Sequence, residues 1–169
     1  MSTNTTASTS PEVGAGRGAT VALAVATLAF TTNFWAWGLL SPLAPDYREV
    51  LGLSALQTSI LVAVPVILGS IVRIPIGALT DRFGGRTMFT ALSLFVIAPL
   101  VFLSAFETYP TLLAGGFLLG VSGASFAIGI PFVNHWFPPE RRGFALGIYG
   151  VGNVGTAIAG FTSPRIADA

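Results

Sequence analysis

Arg73 carries the clearest chemistry in this sequence. In SIVRIPIGALTDRFGGR, residues 70 to 86, it is the only ionised side chain of an apolar run from Ile60 to Leu79. A charged side chain at membrane depth costs about 3 kcal/mol or more. If the run is helical, the eight residues from Arg73 to Asp81, at about 1.5 Å each, place the guanidinium roughly 12 Å inside the charged end. That is too deep for easy snorkelling. No Asp or Glu sits at comparable depth in any apolar segment. An anionic ligand would supply the missing partner, and a flat oxyanion suits a donor fork that holds two oxygens at once. The other reading is a structural arginine, bonded to backbone carbonyls or to an acid outside this sequence.

Other reactive chemistry is sparse. The absence of cysteine excludes disulfides, thiolate metal sites and thiol redox chemistry. The one histidine, His135, leaves little room for an imidazole metal site. No nucleophile–base pair or metal-ligand set is evident, so neither an enzyme nor a cofactor is expected. Asp46, Glu49 and Glu107 read as solvated charges in short external loops.

The elements that position Arg73 are apolar and long. The chain is 53% hydrophobic and only 9% charged, against about 25% charged in a soluble domain. Its mean hydropathy is +0.78. A soluble protein of 169 residues could not hide so much apolar surface, so lipid is the expected solvent. A net charge of +1 argues against a nucleic-acid partner. The pattern predicts an all-α integral membrane protein with five spans, at about 19–44, 54–80, 86–106, 109–137 and 142–163, each long enough to cross a bilayer. Ser54, with Gln57 three residues on, predicts a capping box at the start of the second span. Pro138 and Pro139 separate the fourth from the fifth.

Residues 1–18, rich in Ser, Thr and Gly, read as a disordered tail, leaving 19–169 as the transmembrane bundle. Arg17 is the first basic residue, which does not suit a signal peptide. With the N-terminus in the cytoplasm, Arg17, Arg82, Arg86, Arg141 and Arg142 lie inside, and Arg48 and Arg165 lie outside. This agrees with the positive-inside rule. The expected location is a plasma membrane, crossed several times, in a bacterium.

Gly116 and Gly120 form a G-x-x-x-G pair, as do Gly143 and Gly147. Such pairs let helices approach closely in lipid. In GFALGIYGVGNVG, Gly143, Gly147 and Gly150 share one helical face and Gly152 lies opposite. The fifth span is therefore expected to pack on both sides, inside the bundle.

Two stretches carry a family resemblance. Gly77, Leu79, Asp81, Arg82, Gly84 and Arg86 fit G-x-L-x-D-R-x-G-x-R, which resembles the loop between spans two and three of the major facilitator superfamily. The resemblance implies that Asp81 and Arg82 join a charge network latching the cytoplasmic side in one conformational state. Residues 123–160 are similar to the nitrate/nitrite porter family within that superfamily. The shared features are Phe126, Phe137-Pro138, Gly143, Ala145-Leu146-Gly147 and the string Gly150, Gly152, Asn153, Gly155. An arginine in span two, here Arg73, is the other family mark. The resemblance implies that Arg73 contacts nitrate or nitrite together with a second arginine from the C-terminal half. It also implies that Asn153 bonds or orients the anion, that Phe126 walls the site, and that the glycines of span five slide against a neighbour during alternating access.

A full porter of this superfamily has twelve spans in two halves. The sequence is thus expected to be an N-terminal portion, without the sixth helix or the C-terminal half, its partners being the anion, the bilayer and that missing half. The alternatives are a major facilitator for another small anion or an organic solute, and a truncated membrane product that does not transport. The lack of a membrane-embedded acid leans towards nitrate/nitrite exchange over proton symport.

Overall fold

The computed structural model describes residues 16–167. Every regular element among them is helical: α1 (Arg17–Trp37), α2 (Leu40–Val50), α3 (Ala55–Phe83), α4 (Gly85–Ala105), α5 (Tyr109–Gly120), α6 (Ser125–Trp136), α7 (Pro139–Gly150) and α8 (Val154–Ala167). One 3₁₀ turn, Val121–Ala124, joins α5 to α6, and another, Val151–Asn153, joins α7 to α8. Five helical stretches are long and apolar enough to cross a membrane: Arg17–Val50, Ala55–Phe83, Gly85–Ala105, Tyr109–Trp136 and Pro139–Arg165. The chain is an all-α membrane bundle, as its hydropathy predicts.

Most of the expected tail lies outside the described residues, but Arg17 and Gly18 already belong to α1. At the other end of the first span the helix breaks at Gly38 and resumes as α2, running on to Val50. Asp46 and Glu49 are therefore exposed helical residues and not loop charges. Their polarity is outweighed by the opposite face of α2, where Leu40 and Tyr47 pack with Leu53, Leu61 and Leu112. Glu107 does lie in an exposed connection.

The second span begins as its sequence predicts. The Gln57 amide donates to Ser54 Oγ at 3.2 Å, and the Ser54 amide donates to Gln57 Oε1 at 2.9 Å. Two of the four orphan amides of the first turn are thereby satisfied. The span ends at Gly84, whose φ of 81° favours a residue without Cβ, and α4 starts at once.

Burial of apolar surface does not drive helix association in lipid; close packing and interhelical hydrogen bonds do. Both are present. A Cβ on Gly69 of α3 would lie 2.8 Å from the Gly120 carbonyl oxygen, and one on Gly120 would lie 2.8 Å from that of Pro65. These backbones touch because neither residue has a side chain. Asn33 of α1, 2% exposed, donates to Ser93 Oγ of α4 at 3.0 Å. Between α1, α6 and α7 lies an aromatic core. Tyr149 stacks on Phe30 at 4.7 Å, and Phe34 meets the Phe30 edge at 4.3 Å.

Candidate functional site

A buried stripe of α3 leads to Arg73. Leu61, Pro65 and Gly69 follow at four-residue spacing, each buried against the rest of the bundle. Arg73 is the next position on that stripe, whereas Ile67, Ile71 and Ile74 are exposed on the other faces of the helix. The arginine is half-buried and its Nε donates to the Gly123 carbonyl at 3.4 Å. Gly123 belongs to the first 3₁₀ turn. Short 3₁₀ stretches inside longer helices often mark functional hinges. This bond is of the kind a structural arginine would make. It is long and engages Nε, so the two terminal nitrogens of the fork can still grip an anion.

Phe126, three residues beyond Gly123, is half-buried on the same span. Its ring lies 5.7 Å from that of Phe30 and 6.4 Å from that of Tyr149. The carbonyl that Arg73 engages and Phe126 thus lie about one turn apart on the fourth span. Asn153 stands in the second 3₁₀ turn, exposed, and its Nδ2 donates to the Gly150 carbonyl at 3.0 Å. Among the described residues no hydrogen bond joins it to Arg73. On a span expected to pack on both sides, Asn153 is exposed among the described residues.

The glycines of the fifth span divide sharply. A Cβ on Gly152 would overlap the Phe30 ring, and one on Gly155 would overlap the Thr31 carbonyl oxygen and lie 2.8 Å from the Trp35 amide. These two form the seam with α1. Added Cβ atoms on Gly143, Gly147 and Gly150 meet nothing within 4 Å. Among the described residues, then, the span packs on one side and not on both. The three open glycines share the face that rotates away from α1.

In the hairpin motif, Asp81, Arg82, Gly84 and Arg86 are exposed. The Arg82 guanidinium lies 5.4 Å from the Phe83 ring centre, and an added Cβ on Gly77 meets nothing. Asp81 and Arg86 border a cavity of about 730 Å³, shared with Phe132, His135 and Trp136. A charged hairpin beside such a space has room to change partners.

Sequence reasoning missed Tyr149 and Trp37. Tyr149 is 1% exposed, donates from its hydroxyl to the Ser125 carbonyl at 2.8 Å, and faces Gly129, where an added Cβ would overlap its ring. A lone Tyr between two glycines was the available signal. Tyr149→Phe should lower stability by about 1 kcal/mol, the usual worth of one such bond. A thermal melt in detergent checks this, expected to fall by a few degrees without loss of helicity.

A bundle of five apolar helices, with one guanidinium held at a break in a facing span, defines a polytopic membrane protein with a charged interior site. The Major Facilitator Superfamily matches residues 26–169, and the chain belongs to that superfamily. It is 45% identical over 152 residues to a Mycobacterium tuberculosis protein named "Probable nitrate/nitrite transporter NarK2", covering 88% of this chain and 38% of the relative. It is 42% identical over 145 residues to a Staphylococcus aureus protein named "Probable nitrate transporter NarT", covering 86% of this chain and 37% of the relative. The chain therefore spans less than two-fifths of the length of these relatives. Its relatives are named transporters of a superfamily whose members are not enzymes, and the chain is accordingly not an enzyme.

Proposed function

We propose that these residues form the N-terminal wall of a secondary transporter that moves nitrate or nitrite by alternating access. Arg73 is the observation that carries this reading. It sits on the packed stripe of α3, is steadied through Nε by the Gly123 carbonyl, and is a fork suited to a planar oxyanion. The names of the two relatives supply the anion. Phe126 walls the site. Asn153, whose amide oxygen is not engaged in the bond to Gly150, turns towards the anion or orients it when the second wall is present. A second arginine from the C-terminal half completes the grip.

The open glycines Gly143, Gly147 and Gly150 form the surface that slides on that half, while Gly152 and Gly155 keep span five fixed to span one. Asp81 and Arg82, with Gly77, Gly84 and Arg86 shaping their hairpin, serve as a latch that exchanges partners between states. The excess of arginines at the Arg17 end supports a cytoplasmic side for that end, in a bacterial plasma membrane.

The test is solute uptake by the gene's full product in nitrite-loaded liposomes. Saturable nitrate entry that disappears in Arg73→Ala is expected. Uptake of another solute without any nitrate entry would overturn the choice of anion. Retained nitrate entry in Arg73→Ala would leave Arg73 as a structural arginine.

A further inference from the structure

Trp37 lies where spans one, two and four meet. Its Nε1 donates to the Pro65 carbonyl of α3 at 3.2 Å. The indole then fills the space left by two residues without side chains. A Cβ on Gly69 would stand 3.2 Å from Nε1, and one on Gly123 would stand 3.0 Å from Nε1 and 3.2 Å from Cδ1. Gly69 is one helical turn before Arg73 on the buried stripe, and Gly123 supplies the carbonyl that Arg73 engages. The indole is thus wedged against both ends of the arginine's support: the turn of α3 that carries it and the 3₁₀ turn that receives it.

We infer that Trp37 and Gly123 are positioning residues for Arg73, with the indole fixing the distance between α3 and the Gly123 carbonyl, and so the direction in which the terminal guanidinium nitrogens point. The physical logic is leverage. The Arg73 side chain has several rotatable bonds, and among the described residues the Nε–carbonyl contact is its one hydrogen bond. That contact is already long, so a shift of a few tenths of an ångström breaks it. Trp37 sets that margin from span one, which carries no charge of its own near the site. This inference rests on the reading of Arg73 as an anion ligand.

The experiment uses the gene's full product in nitrite-loaded liposomes, with nitrate as the probe, and compares Gly123→Ala, Gly123→Ala/Trp37→Phe, Gly160→Ala and Arg73→Ala. The Cβ of Gly123→Ala must push the indole or the turn aside. KM for nitrate should rise about tenfold, the worth of one hydrogen bond to a charged group, while Vmax and the melting temperature stay near wild type. Replacing the indole by the smaller ring of Trp37→Phe returns the space, so the double variant should recover most of the lost affinity, a non-additivity expected only of residues in contact. Gly160→Ala, whose new methyl meets nothing, should match wild type.

If Gly123→Ala keeps the wild-type KM, or loses Vmax and melting temperature with KM unchanged, the positioning role is wrong and the site is merely packed. If the double variant is no better than the single one, the indole is not the lever. If Arg73→Ala itself keeps nitrate uptake at wild-type KM, the failure lies in the reading of Arg73 and takes this inference with it. A loss in Arg73→Ala beside an unaffected Gly123→Ala isolates the failure to the positioning claim.

Discussion

Gly155→Leu is expected to abolish folded protein, whereas Gly150→Leu in the same chain leaves it intact. The two glycines are five residues apart on one span, and hydropathy does not distinguish them. At Gly155 any side chain would enter the backbone of α1 at Thr31 and Trp35. Backbone cannot rotate aside as a side chain can, so α1 and α8 must separate. Overpacking a close seam costs typically about 1 to 3 kcal/mol, and more where backbone is the obstacle. The loss spreads, because α1 also holds Phe30 against Tyr149 and Asn33 against Ser93. Detergent-solubilised yield and monodispersity by size-exclusion chromatography give the readout. Gly155→Leu should run as aggregate, and Gly150→Leu of this chain should run with wild type. A well-folded Gly155→Leu protein would show that the α1–α8 seam is looser than the structure has it.

Arg73→Lys is expected to cost the gene's full product at least about tenfold in nitrate affinity, although the charge is kept. A lysine offers one compact ammonium in place of a planar fork. It lacks an Nε–H to spend on Gly123 while two further donors face the anion. Losing one charge-assisted bond of this kind is worth about 1.5 to 3 kcal/mol, or roughly ten- to a hundredfold. Nitrate concentration dependence of uptake in liposomes reads the change. A lysine variant with wild-type KM would mean that the fork geometry is irrelevant and that only charge is used.

How far the residues alone reveal this site varies from position to position. Arg73 is legible because a single charge in an apolar run needs a reason, and its eight-residue distance from Asp81 gives its depth directly. The capping box at Ser54 is equally local, and it forms as expected. The extension of the first span through α2 is not legible. Asp46, Arg48 and Glu49 look like loop residues until Leu40 and Tyr47 find Leu61 and Leu112, which are distant in sequence. The glycines teach the same lesson. Spacing alone puts Gly143, Gly147 and Gly150 on a face but does not say which face has a neighbour. The neighbour of Gly152 and Gly155 is α1, more than a hundred residues earlier. Gly69 carries no motif at all, yet it makes one of the closest backbone approaches in the bundle because the Gly120 carbonyl happens to face it.

The central claim is that Arg73 holds a planar anion. Anything that binds the folded state alone raises its stability, by about 2.7 kcal/mol at a hundredfold excess over Kd. The most direct measurement is therefore the melting temperature of the purified full gene product with and without nitrate, using chloride at equal ionic strength as the reference. Wild type should melt several degrees higher in nitrate than in chloride, and Arg73→Ala should melt at the same temperature in both. An Arg73→Ala protein that gains as much from nitrate as wild type would contradict the account.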